Sequence, residues 1–171
     1  MSFVNRAQGN TSISQSIRFI DAEILGEMNR STIGREVANA ANTNAISLEF
    51  EAFHPQTGVK GYRIPNTNRG VIFVENNTEF SAPGVIDRAA TLREVGNTAV
   101  HEGLHTMGLG GSWEAELWVR RLTFEHSFGR AATVGEVAQM EAEMQAAGRV
   151  YTSLPRTVGG SITIGGRTIS F

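Results

Sequence analysis

His101-Glu102-Gly103-Leu104-His105, preceded by Thr98-Ala99-Val100, lies within the longest helical pattern of the chain. Leu92, Val95 and Ala99, with Val100, Leu104 and Met107 alongside, recur at the three- and four-residue spacing of a helix that buries one face. On such a helix, residues four apart point the same way, one turn from each other. His101 and His105 can therefore offer two imidazole nitrogens to one cation from rigid backbone. Glu102, turned about 100° from His101, sits at the edge of that face. From there a carboxylate reaches a water on the cation without binding the cation itself. The cation brings the pKa of that water to about 7, the glutamate takes its proton, and a carbonyl is attacked. The same glutamate can return the proton to a leaving amine. With four His and fifteen Glu in 171 residues, chance supplies an HExxH about 0.01 times, so accident is the weaker explanation.

A catalytic zinc site takes three protein ligands and keeps a further position open. The chain has no Cys and only two Asp, so the third ligand must come from a short list. The extended pattern HExxHxxGxxH is broken here. Gly108 stands at its glycine position, but Gly111 occupies the place of the third histidine. Beyond this glycine turn, Ser112 reads as the N-cap of a helix running through His126. Glu114 and Glu116 on that helix are the local candidates. They lie roughly 200° apart around it, so only one can face the ion. Both flank the apolar stripe of Ala115, Trp118, Val119 and Leu122 equally, and periodicity does not choose between them. An ordinary ion pair with Arg120, four residues on, is the competing role for Glu116.

Working outward, residues 1–16 mix Gly, Asn, Ser and Thr and read as a flexible lead-in, leaving 17–171 as one domain. Ile17, Ile20, Ile24 and Met28 predict a helix, and a second short one follows over 35–41. Ile46, Leu48 and Phe50 alternate as a strand, and 61–64 and 70–75 predict two more, with Val71-Ile72-Phe73-Val74 the strongest strand core. After Pro83-Gly84 the pattern is helical to Met107. Thr133 with Glu136 forms a capping-box signature ahead of a helix to Ala147. Ile162, Ile164 and Ile169 alternate about Gly165-Gly166, which predicts a hairpin. The expected fold is α+β: a single zincin-like domain with a small antiparallel sheet, an active-site helix, further helices and a C-terminal β-hairpin.

Composition narrows the class. Forty per cent hydrophobic and 19% charged residues fit an ordinary globular domain with a real core. A net charge of −2 argues against a dedicated nucleic-acid binder. No apolar run approaches the roughly 18 residues of a membrane span, and residues 1–15 lack the apolar centre of a signal peptide.

The run His101 to Ser112, followed by Ala115-Glu116 and Arg120, resembles the metallopeptidase-like toxin domains at the C-termini of Rhs and related polymorphic toxins. Those carry an HEGxHxxGxxGS segment followed closely by an Ala-Glu pair on a helix. Tyr151, Leu154-Pro155-Arg156 and Gly159 resemble their later stretch, so the likeness spans about 98–160. Position by position it implies Glu116, with His101 and His105, as the Zn2+ ligands and Glu102 as the catalytic base. It further implies a toxin module delivered into a target cell as part of a larger secreted protein; joined to the site chemistry, the first reading is a zinc metallopeptidase acting on a protein or peptide substrate. A cognate immunity protein would accompany it. Two other readings stay open: a zinc hydrolase of a non-peptide amide, and a binding module with a structural or vestigial metal site.

Other residues carry weaker signals. His126 can orient substrate or replace a ligand, although a helix-end His is more often structural. His54 sits in a turn beside Pro55. Tyr151 can stabilise a tetrahedral oxyanion. Asp87 reads as a helix N-cap, and Trp113 and Trp118 as core and rim. The strand 71–75 is the expected sheet edge on which an extended peptide would add as a further strand.

Overall fold

The computed structural model describes residues 3–5 and 19–171. In chain order its first half runs β1 (Phe3–Asn5), α1 (Asp21–Met28), α2 (Thr32–Asn42), β2 (Ser47–Glu51), β3 (Gly61–Arg63) and β4 (Arg69–Phe73). The four strands form one sheet in the order β1-β2-β4-β3. Phe3–Asn5 thus pairs in the sheet where the sequence suggested a lead-in, and the rest of 1–16 lies outside the described residues.

The sheet is mixed rather than antiparallel. β1 and β4 both run parallel to β2, and only β3 is antiparallel, to β4. Parallel neighbours need a long crossover, and α1 and α2 supply the one between β1 and β2. Alternation of residues reports which face is buried, not which way a neighbour runs. The expectation that the strand 71–75 forms an edge is also overturned, because β4 is paired by β2 on one side and β3 on the other. Its unbroken apolar run belongs to an interior strand covered on both faces. Val71 and Phe73 are buried on one face, Ile72 on the other. The edge next to β4 is β3.

A small hairpin, β5 (Phe80–Ala82) and β6 (Val85–Ile86), turns at Pro83-Gly84, where the sequence placed the start of a helix. The helix itself, α3 (Arg88–Thr106), begins after Asp87, whose Oδ1 accepts from the amide of Ala90 at 2.9 Å. Val95, Ala99, Val100 and Leu104 on α3 are fully buried in one core with Leu48, Phe50 and Ile72 from the sheet. Burial of each large aliphatic side chain is worth about 1.5–3 kcal/mol, which seats α3 firmly on the sheet.

Then follow α4 (Trp113–Phe128), α5 (Val134–Ala146) and α6 (Arg149–Thr152), the last a single turn the sequence did not announce. Thr133 and Glu136 cap α5 reciprocally, as their spacing predicts. Trp113 and Leu117 of α4 and Met144 of α5 make a second small core, against which Tyr151 of α6 packs. The chain ends in the predicted hairpin, β7 (Ser161–Ile164) and β8 (Arg167–Ser170), whose Ile164 and Ile169 insert into the main core. Among the described residues, no helix is long and apolar enough to cross a membrane.

Candidate metal centre

The helical spacing of His101 and His105 on α3 brings their rings together, with centroids 4.9 Å apart. The chain then reverses through Gly108, whose φ of +123° is a conformation that side chains rarely adopt. That reversal buries Leu109 and aims its carbonyl at His105, whose Nδ1 donates to it at 2.6 Å. With Nδ1 engaged, Nε2 is the nitrogen turned to the site. Ser112 caps α4 by accepting from the amide of Ala115 at 3.1 Å, which fixes where the first turn of α4 begins. One turn on, Glu116 places Oε2 3.2 Å from Nε2 of His105. His101 is steadied from the other side, its Nδ1 lying 3.4 Å from Oγ1 of Thr123.

One potential ligand atom from each of His101, His105 and Glu116 lies within 4.8 Å of the other two. Among the described residues this trio is the group of metal-binding type, and it can hold a metal ion. Two imidazoles and a carboxylate are a donor set suited to zinc, bound at about 2.0–2.2 Å.

The electrostatics favour a cation at that point. Burial, then the charge of His105, hold His101 neutral, down to about 3, with Glu116 opposing. Burial works against a charged His105. The hydrogen bond and charge of Glu116, the charge of Glu102 and the bond to Leu109 outweigh it, so its basicity is raised. Burial also works against an ionised Glu116. The hydrogen bond from His105, the charges of both histidines and the bond from Arg120 overcome it and hold the carboxyl at about 2. Glu116 is therefore a permanent buried anion facing two imidazoles. Glu102 differs. Burial, opposed by the charge of His105 and assisted by that of Glu116, raises it to about 7. A carboxyl poised there both accepts and releases a proton at neutral pH.

A cleft of about 540 Å³ opens onto His101 and Glu102, with Gly61, Thr98, Arg120 and Tyr151 also among its lining. Gly61 of β3 makes this possible. A Cβ there would lie 2.9 Å from Cγ of Glu102 and from Cγ2 of Thr98, so only a glycine lets the edge strand approach the acid so closely. Asn77 ties the same corner together. Its side chain donates to the carbonyls of Lys60 and Phe73 and accepts from Oγ1 of Thr98 at 2.7 Å.

Compared with protein-family models, curated proteins and solved structures, the chain matches none.

Of the two acids that periodicity left open, Glu116 faces the histidines, while Glu114 pairs with Arg156 at 3.3 Å. The competing role for Glu116 is present as well, since its Oε1 accepts from Nε of Arg120 at 2.8 Å. His126 takes no part in the cleft. It is buried with its Nδ1 2.7 Å from Oγ of Ser31, the N-cap of α2. His54 accepts from the amide of Gln56 and packs beside Tyr62 and Phe73. Tyr151 does reach the cleft, its ring 5.2 Å beneath the Arg120 guanidinium. Trp113 belongs to the second core, and Trp118 lies under Arg121. Sequence reasoning missed Thr123, the Leu109 carbonyl and Gly61. Thr123 sits seven residues after Glu116, two turns along the same face, and that spacing was the available signal; nothing local marks Gly61.

Proposed function

We propose that this chain is a zinc-dependent metallopeptidase of zincin-like architecture, acting as a toxin domain of the Rhs type. The observation that carries the reading is the trio His101, His105 and Glu116 with ligand atoms within 4.8 Å of one another, beside the buried carboxyl of Glu102 in the cleft. Zinc bound there would act as a Lewis acid on a water and on the scissile carbonyl. Glu102 serves as the general base that takes a proton from the attacking water and then returns it to the leaving nitrogen. The Leu109 carbonyl and Thr123 keep the two imidazoles oriented.

A peptide suits this cleft better than another amide for one reason. β3 is one of the two terminal strands of its sheet, and Gly61 brings its backbone against Glu102. An extended peptide can pair with such an edge through main-chain hydrogen bonds and lie across the acid. The toxin role rests on the resemblance over 98–160. With it come delivery into a target cell within a larger secreted protein and a neutralising immunity partner.

The test is metal analysis and peptide hydrolysis on purified protein. Wild type should retain close to one zinc per chain and cleave peptides. His101→Ala should lose both. Glu102→Gln should keep the metal and lose roughly 10²–10⁴-fold in rate. A Glu102→Gln protein as active as wild type, in hydrolysis or in killing cells that express it, would defeat the mechanism.

A further inference from the structure

Glu116 uses its two oxygens differently. Oε2 faces Nε2 of His105 at 3.2 Å, while Oε1 accepts from Nε of Arg120 at 2.8 Å. A carboxylate can hold a cation through one oxygen or through both, and the second mode would fill a position that a hydrolytic site needs for water. Resting on the metal site proposed above, we infer that Arg120 is a positioning residue that keeps Glu116 a one-oxygen ligand.

Three features support this. The Nε bond is charge-assisted and shielded from water, Glu116 being 7% and Arg120 24% exposed at the side chain, which makes it a strong tether. The guanidinium is itself held. It lies 5.2 Å from the centre of the Tyr151 ring and has Nη1 3.7 Å from Glu143. It therefore approaches Oε1 from a direction set by α5 and α6, elements that carry no metal ligand. Finally, guanidinium chemistry fits the task. Its planar, fixed donors occupy one carboxylate oxygen along a defined line, whereas an ammonium on a flexible stem is a point charge that can slide between the two.

The experiment is cobalt substitution of the full chain, read by visible absorption. A four-coordinate cobalt(II) ion absorbs strongly, and a five-coordinate one more weakly. Wild type should give the strong spectrum of two histidines, one carboxylate oxygen and water. Arg120→Met, checked for folding by circular dichroism, should give the weaker spectrum as Oε1 joins the ion. Arg120→Lys should fall between the two. An unshifted spectrum in folded Arg120→Met overturns the proposal. Should that variant not fold, Arg120→Lys carries the test alone, and an unshifted spectrum there overturns it equally. Wild type that takes up no cobalt removes the metal site and the function proposed above. Uptake with identical spectra in all three proteins removes only the role of Arg120.

Discussion

Nε2 of His105 and Oε2 of Glu116 lie 3.2 Å apart although the two residues sit on different helices. The contact closes the site. α3 alone offers two imidazoles, which are weak company for a divalent ion without a negative charge. Glu116, ionised down to about 2, supplies that charge. Glu116→Ala should therefore weaken zinc binding by more than the roughly 10–100-fold that loss of an outer-shell partner costs. Glu114→Ala, which breaks only the pair with Arg156, should leave affinity unchanged. Competition with a chromophoric chelator measures both, and equal losses would mean the acids have been assigned wrongly.

Gly61→Ala probes the approach of the edge strand. Its Cβ would meet Glu102, Thr98 and the Val71 carbonyl at 2.9 Å, so the strand or the acid has to shift. Overpacking of this kind costs about 1–3 kcal/mol. The expected result is a matching loss in denaturant unfolding, with hydrolysis reduced and zinc retained, because the atoms a Cβ would meet first belong to Glu102, Thr98 and Val71 and to none of the three candidate ligands. Wild-type stability and activity together would show that the corner has room to spare.

Ser112→Ala removes the cap of α4. The Ser112 hydroxyl is fully buried and satisfies the amide of Ala115, so its loss should cost about 1 kcal/mol. For a chain of this size that lowers Tm by roughly 2–4 °C. Calorimetry on the apo and zinc-loaded proteins should find the larger drop in the loaded form, since the cap also sets where Glu116 stands. The same drop in both forms would place the cap's effect on the fold alone.

His126 should make stability pH-dependent without touching the site. Burial, then the charge of Arg30, hold its pKa below the ordinary 6.5, with Glu27 opposing; Ser31 bonds its Nδ1. Below pH 6.5 the unfolded chain takes up the proton more readily than the folded one, so stability falls as pH falls through that window. His126→Gln should show a shallower decline than wild type between pH 6.5 and 5 in urea titrations. His101 is common to both proteins and cancels from the comparison. Parallel curves would rule out His126 as the source.

Much of this protein was settled by sequence alone wherever the governing physics is local. Helical spacing put His101 and His105 on one face, Asp87, Ser112 and Thr133 announced helix starts through side-chain capping, and Gly165-Gly166 announced the final turn. Each of those depends on contacts within about four residues. Periodicity left Glu114 and Glu116 level, and it was the resemblance that singled out Glu116; the parallel pairing of β1, β2 and β4, the edge position of β3 and the retirement of His126 to the cap of α2 were decided only by tertiary structure. In every one of those cases the deciding partner is distant in the chain, as Ser31 is from His126, and a local pattern records which face of an element is apolar but not what that face will meet.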